Sequence, residues 1–464
     1  MIPVSAFAGR RVAVLGLARS GRAAVTSLLA GGAEVLAWDD DAATRQAAAA
    51  EGAVLRDLAA LDWRTVAALV LSPGIPHSFP TPHPTVAQVR AAEVEIIGDI
   101  ELLARAQRHS RFIGITGTNG KSTTTALIGH ILKLAGLAVE VGGNLGTPAL
   151  SLAPLAADGT YVLELSSFQL ELVASLVCDI AVLLNITPDH LDRHGGMDGY
   201  IAAKRRIFAG QDARCAAVIG IDEPISRGIF ETMKAGGGPG VIPVSARGAA
   251  PGGVSVEAGW LMDHLDRDAA PVPVLDLAQA ERLPGVHNWQ NAAAAYAAVR
   301  RAGVAGDIAA AAIRSFPGLV HRQELVATLD GIRYINDSKA TNADAAEKAL
   351  ACYPAIYWIA GGLPKAGGIA PLAPYFARLR HAFLIGRATE EFAATLDGKV
   401  PFTRCGDLAT AVAAAGERAR RERLPGAVVL LSPACASYDQ FANFEERGDQ
   451  FRRLVAGLRE VRSR

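Results

Sequence analysis

The stretch Arg111-Phe112-Ile113-Gly114-Ile115-Thr116-Gly117-Thr118-Asn119-Gly120-Lys121-Ser122-Thr123 decides the fold. An apolar, β-branched run through Phe112–Ile115 reads as a strand, a glycine-rich turn follows, and Lys121–Ala135 reads as a helix. Glycines let successive backbone N–H groups converge on phosphate oxygens, and the helix N-terminus adds the positive end of its dipole. In such a turn Lys121 reaches the β- and γ-phosphates of a nucleotide, and the Ser122 hydroxyl sits on Mg²⁺. The strict pattern wants glycine at position 115, where this chain carries Ile115, so the loop is a variant. Its candidate nucleotide-binding residues are Gly117, Thr118, Asn119, Gly120, Lys121, Ser122 and Thr123.

Outward from this loop, short apolar runs alternate with longer Ala-rich amphipathic stretches, the pattern of βαβ units and parallel sheets. Strands are expected at Val12–Leu15, Glu34–Ala37, Ala68–Leu71, Tyr161–Leu165, Ile180–Leu184, Ile356–Ala360, Ala382–Ile385 and Val428–Leu431. Helices are expected at Gly21–Ala30 and Asn288–Ala302, and residues 236–275, rich in Gly and Pro, read as irregular or short antiparallel structure. Three regions each restart with a strand and a turn. The expectation is an α/β protein of three domains: Rossmann-like over 1–104, P-loop ATPase-like over 105–316, and Rossmann-like again over 317–464.

Composition narrows the function classes. At about 150 residues per domain, 464 residues suggest about two to four domains. The 46 basic and 46 acidic side chains cancel, which leaves no electrostatic footprint for nucleic acid or an anionic membrane. Half the residues are hydrophobic and a fifth charged, a balance that supports packed cores rather than disorder. No apolar run approaches the roughly 18 residues of a spanning helix. The opening MIPVSAFAGRRVAVLGLA lacks a basic segment ahead of an apolar one, so no secretory signal is expected. Five scattered cysteines (Cys178, Cys215, Cys352, Cys405 and Cys435) form no CxxC pair, so the expected setting is a reducing cytoplasm. Cys435 reads as a small packed side chain.

The turn Gly16-Leu17-Ala18-Arg19-Ser20-Gly21 has the shape of a dinucleotide fingerprint with Ala18 in place of the second glycine. The added methyl disfavours an ordinary NAD site, leaving a differently seated nucleotide diphosphate or a purely structural turn. Asp39-Asp40-Asp41 ends the next strand, where ribose or base contacts usually sit. Glu164 closes a strand, and Asp189-His190 follow another, both at the sheet edge where ligands bind. A lone strand-end glutamate is by default a cap or an ion-pair partner. Beside a phosphate loop, a carboxylate that takes a hard, phosphate-bridging cation becomes the better reading. Further polar clusters stand at Val286–Asn291, Val320–Glu324, Ile335–Asn342 and Leu431–Phe441.

In order and content, GITGTNGKST, ELSSFQLE, NITPDH, HNWQN, HRQE, NDSKATN and LLSPACASYDQFANFEERG together resemble the Mur ligase family, from first strand to last helix. ELSSFQLE, NDSKATN and the C-terminal motif are specific to its D-glutamate-adding branch. The resemblance implies an ATP-dependent amide ligase that joins D-glutamate to UDP-N-acetylmuramoyl-L-alanine through an acyl phosphate. It implies that the three domains bind the UDP substrate, ATP and the amino acid in chain order. Lys121 and the loop amides would hold the triphosphate, with Asn291, Arg322 and Asp337 also on ATP and Arg322 arriving from the third domain. Ser122 and Glu164 would hold one Mg²⁺, and His190 with a carbamylated Lys204 a second. Lys121, Glu164, His190 and Lys204 are thus the catalytic set. The UDP substrate would meet Gly16, Leu17, Ser20, Gly21, Asp39, Ser72, Pro73, Gly74 and, at its muramoyl end, Asn144. D-glutamate would meet Lys339, Thr341, Lys365, Ser437 and Phe444. Ala18 and Asp40 stand where the family often places hydroxyls. The protein would act in the cytoplasm as a monomer, without nucleic acid or membrane partners. Rival readings are a ligase for another amino acid, a folylpolyglutamate synthase-like enzyme, and an ATP-binding module without catalysis. The N-terminal nucleotide-binding region disfavours the folate reading, since those enzymes start near the phosphate loop.

On spacing alone, Lys204 in YIAAKRRIF reads as a solvated helix lysine. The resemblance instead makes it a carbamate, with Arg205 and Arg206 expected to depress its amine pKa and stabilise the product.

Overall fold

The computed structural model describes residues 1–144, 146–365 and 367–462, with side chains described as far as residue 458. Among the described residues the strands form three sheets. The first holds β1 (Arg11–Leu15), β2 (Glu34–Trp38), β3 (Ala68–Leu71) and β4 (Glu95–Ile97), all parallel, in the order β2-β1-β3-β4. The strands β1 and β3 are buried almost throughout, as a parallel sheet covered on both faces requires.

The second sheet holds β5 (Arg111–Thr116), β6 (Val139–Gly143), β7 (Thr160–Glu164), β8 (Ile180–Leu183), β9 (Ala216–Gly220), β10 (Gly240–Ser245), β11 (Val254–Glu257), β12 (Trp260–Asp263) and β13 (Val272–Asp276). Its order is β13-β12-β11-β10-β9-β8-β5-β7-β6. From β6 across to β11 the pairing is parallel, and β11, β12 and β13 pair antiparallel. The Gly- and Pro-rich region thus resolves into two further parallel strands, β10 and β11, and an antiparallel extension, β12 and β13. At the sheet margin β13 carries Pro273 opposite Met262, with Val272 exposed. Register places Ile115 opposite Glu164 and Thr116 opposite Leu183, so the ends of β5, β7 and β8 share one edge.

The third sheet holds β14 (Glu324–Leu329), β15 (Ile332–Asn336), β16 (Ala355–Gly361), β17 (Leu379–Ile385), β18 (Phe402–Gly406) and β19 (Ala427–Leu431). Its order is β14-β15-β19-β16-β17-β18, with only the β14–β15 pair antiparallel.

The described residues divide into two compact units. One comprises Met1–Gln279 with Asn288–Ser315 and contains the first two sheets. The other comprises Ala280–His287 with Phe316–Arg464 and contains the third. Within the first unit, Gly98 N donates to Leu172 O, and the Glu101 carboxylate accepts from Ala174 N, Ser175 N and Ser175 Oγ. The helix Val286–Arg301 buries six alanines, Ala292–Ala295, Ala297 and Ala298, beside Asn288, Gln290, Asn291, Tyr296 and Val299. Small side chains there allow close approach of neighbouring elements. No helix among the described residues is long and apolar enough to cross a membrane.

Candidate active site

The glycine-rich turn after β5 has the backbone of a strand–turn–helix loop. Strand β5 runs into Gly117 and Gly120, both at positive φ (151° and 87°), and Gly120 caps the helix Lys121–Leu134 in the left-handed conformation. A Cβ at Gly120 would overlap the side-chain oxygen of Asn291. Asn291 is 2% exposed and donates to Asn288 Oδ1 at 3.1 Å, so the chain brings this distant residue against the loop. Asn185 braces the turn from beneath, accepting from Asn119 N at 2.9 Å and donating to Asn119 O at 3.1 Å. Thr118 Oγ1 lies 3.0 Å from Thr187 O and 3.1 Å from the Tyr200 hydroxyl.

Two lysine side-chain nitrogens converge on one carbonyl. Lys121 Nζ donates to Gly117 O at 2.9 Å and Thr118 O at 3.0 Å, while Lys204 Nζ donates to Gly117 O at 2.8 Å. Lys204 is 1% exposed, which overturns the solvated reading of its spacing. Its amine is held well below the usual lysine range, first by burial and then by Lys121, with Asp189 and Glu164 opposing. The arginines expected to cause this depression do not. Arg206 is turned away onto the carbonyls of Leu170 and Val173. The physical reason is helical: residues adjacent in sequence point to different sides of a helix, so only Lys204 enters the core.

Glu164 ends β7 at 3% exposure. Asn144 Nδ2 donates to its Oε1 at 2.7 Å, and Asn144 N donates to its backbone oxygen. Asn144 thus steadies the Glu164 carboxylate. The other oxygen, Oε2, is buried without a hydrogen-bond partner among the described residues. An unsatisfied buried carboxylate oxygen is costly unless something fills the place, and a hard divalent cation suits it. Among the described residues no three His, Cys, Asp or Glu side chains cluster as a metal site. A cation beside Glu164 would thus need phosphate, hydroxyl or water oxygens for the rest of its shell, as Mg²⁺ commonly does. His190 is half exposed at φ 51°, with Nε2 3.4 Å from Asp189 Oδ2 and its ring 5.1 Å from that of Phe168.

At the first sheet, Leu17 N donates to Asp39 Oδ2 at 2.7 Å and Ser72 Oγ to Gly16 O at 2.9 Å. A Cβ at Gly21 would overlap Gly16 O, so the turn itself requires that glycine. Ser20 reaches the buried Asp99. The structure thus brings Gly16, Leu17, Asp39 and Ser72 together at one edge, with Pro73 and Gly74 continuing from Ser72. Asp40 meets His83 at 2.9 Å, and Asp41 caps the next helix through Thr44 N.

The second unit gathers its own set. Leu363 N donates to Ala436 O at 2.9 Å, which sets the segment of Lys365 beside that of Ser437. Lys365 is exposed and Ser437 buried. Lys339 Nζ stands 5.3 Å over the Phe444 ring, and Thr341 N donates to Lys339 O. Asp337 accepts from Ser432 Oγ at 2.8 Å and Gln323 N at 3.2 Å, and burial raises its carboxyl to about 7. Arg322 follows His321, whose Nδ1 accepts from Asn336 at 3.0 Å. Cys435 is buried and pushed up to about 12 by that burial, as expected of a packed thiol.

Two buried residues escaped the sequence reading. Tyr200 places its hydroxyl on Thr118, and burial raises it to about 12. Arg447 donates to Ser338 Oγ, Ser338 O, Cys435 O and Ala436 O, tying three polar segments together. Each lies inside a motif already quoted, yet only the packing separates it from its solvated neighbours.

The Mur ligase middle domain profile matches residues 115–299. The UDP-N-acetylmuramoylalanine–D-glutamate ligase of Rhodospirillum rubrum is 56% identical over 468 residues, covering 100% of this chain and 98% of its own. That of Caulobacter vibrioides is 51% identical, with 99% and 98% covered. Among solved structures, the UDP-N-acetylmuramate–alanine ligase of Thermotoga maritima superposes with a TM-score of 0.57 at 16% identity, covering 97% and 99% of the two chains. At that identity the likeness concerns the fold alone.

Proposed function

Because this chain belongs to the Mur ligases, within the D-glutamate-adding branch that its relatives represent over its full length, we propose how its residues divide the work. The activity is ATP-dependent addition of D-glutamate to UDP-N-acetylmuramoyl-L-alanine in peptidoglycan precursor synthesis. In our reading residues 1–104 bind the UDP substrate, 105–316 bind ATP, and 317–464 bind the amino acid, in a cytoplasmic monomer. The observation that carries the chemistry is the phosphate loop flanked by Lys121, Lys204 and the half-satisfied Glu164.

A terminal carboxylate oxygen of the UDP substrate attacks the γ-phosphorus of ATP, and ADP leaves. The amine of D-glutamate then attacks the acyl carbon, loses a proton, and expels phosphate. Charge grows on oxygen in both steps, so fixed cations and N–H groups contribute most of the rate. Lys121 and the loop amides from Gly117 to Thr123 hold the triphosphate, with Asn291, Arg322 and Asp337 on the rest of ATP. Ser122 and Glu164 would hold one Mg²⁺, and His190 with carbamylated Lys204 another, where the ions would neutralise phosphate charge. Burial keeps the Lys204 amine able to be neutral. Its lone pair can then attack CO₂, releasing a proton and leaving a two-oxygen anion of the kind hard cations take. Gly16, Leu17, Ser20, Gly21, Asp39, Ser72, Pro73, Gly74 and Asn144 are assigned to the UDP substrate. Lys339, Thr341, Lys365, Ser437 and Phe444 are assigned to D-glutamate.

Phosphate release tests the reading directly. Full turnover requires ATP, UDP-N-acetylmuramoyl-L-alanine and D-glutamate together. Equal release when either acceptor is omitted, or preference for another amino acid in a panel, would refute it. Arg322→Ala is expected to lower kcat far more than it weakens UDP-substrate binding, and equal losses would place the arginine with the UDP substrate. Lys365→Ala should raise the KM for D-glutamate about tenfold or more, since a charge-assisted contact to a carboxylate is lost. A fall in ATP affinity in that variant instead would remove Lys365 from the amino-acid site.

A further inference from the structure

The segment after β3, Ser72-Pro73-Gly74-Ile75-Pro76-His77-Ser78-Phe79, carries the turn assigned to the UDP substrate. A single distant side chain takes up three of its carbonyls. Arg193 Nη1 donates to Phe79 O at 2.9 Å, and Nη2 donates to Pro73 O at 3.3 Å and Ile75 O at 3.2 Å. The guanidinium also lies 4.8 Å from the Phe168 ring centre. The Phe79 ring closes on Gly195 so tightly that a Cβ there would overlap it.

Beside this clamp runs a second connection. His77 Nε2 lies 2.9 Å from Glu171 Oε2, and the other Glu171 oxygen lies 2.9 Å from His194 Nδ1. His194 Nε2 in turn lies 3.0 Å from Ser167 Oγ. Burial opposes ionisation of Glu171, yet the two imidazoles keep its carboxyl below the usual range. Both anchors stand on elements that leave the nucleotide edge of the second sheet. Ser167–Glu171 is the helix just after Glu164, and Leu191–His194 is the helix just after His190.

We propose that Arg193 and the His77–Glu171–His194 chain are positioning residues for the ligase reaction. They fix the register of the Ser72–Gly74 turn against the strand ends that bear Glu164 and His190. This inference rests on the reading given under Proposed function. An acceptor carboxylate must stand in line with the γ-phosphorus, and a displacement of about 1 Å is enough to cost about a hundredfold in rate. Leu17, Asp39, Gly16 and Ser72 are tied to one another by their own hydrogen bonds, and the clamp reaches the turn only through Pro73 O. Loss of the clamp should therefore spare binding and damage turnover.

The test first confirms D-glutamate-dependent phosphate release by the wild-type enzyme; failure there would refute the functional reading and not the clamp. Arg193→Ala, Arg193→Lys, His77→Ala, Glu171→Ala and Glu171→Gln are then compared, with circular dichroism to verify folding. Calorimetric dissociation constants for UDP-N-acetylmuramoyl-L-alanine and ATP should stay within about threefold of wild type, while kcat falls about tenfold or more in the alanine variants. Arg193→Lys and Glu171→Gln, which each keep part of the hydrogen bonding, should recover part of kcat. If Arg193→Ala does not fold, His77→Ala at the loop end of the chain reads out the same effect. Unchanged kcat in the folded variants would overturn the proposal. So would losses of binding and of kcat in equal proportion, the signature of a merely structural tie.

Discussion

Lys121→Ala lowers turnover by at least about a hundredfold, because one positioned charge at a developing phosphate anion contributes that much in comparable sites. The structure favours a large value. The Lys121 ammonium is held at the mouth of the loop by Gly117 O and Thr118 O, so its charge needs little reorganisation to meet a phosphate. The loop backbone should survive the change, since Asn185 braces it independently. Near-normal phosphate release from a folded Lys121→Ala variant would remove the lysine from catalysis.

Lys204→Ala should be nearly inactive, and acetate or formate at high concentration should restore part of the activity by supplying the missing two-oxygen anion. The same variant separates two roles for the residue. If Lys204 acts as a cation steadying Gly117 O, a small amine and not a carboxylate should rescue it. If it acts as a carbamate, the carboxylate should rescue and CO₂-depleted buffer should slow the wild type. Full activity of Lys204→Ala in CO₂-depleted buffer would end the carbamate reading.

Much of the fold was legible because parallel strands are short, apolar and punctuated by glycine. The expected strands at Ala68–Leu71 and Val428–Leu431 differ from those observed by at most one residue. Residues 236–275 were harder, because β11 to β13 are short, β12 and β13 are partly exposed, and none carries a strong period. Within the site, the loop from Gly117 to Thr123 could be read locally, since its chemistry and its geometry occupy the same few residues. Lys204 could not. Two adjacent arginines imitate a solvated face, and only the helix orientation buries one cation while leaving its neighbours outside. The pairing of Asn144 with Glu164 and the His77–Glu171–His194 chain span intervals that form no motif. They exist only once β6 lies beside β7 and the segment after β3 meets the helices that follow β7 and β8.

The proline in β13 bears on how this protein fares at high concentration. A sheet margin with a free row of N–H and C=O groups is a template on which another chain can add a strand. Pro273 removes one N–H from that row, and proline within sheets is found at such margins because it cannot donate to a further neighbour. The antiparallel extension therefore ends this margin of the sheet on a strand less suited to recruit a second copy.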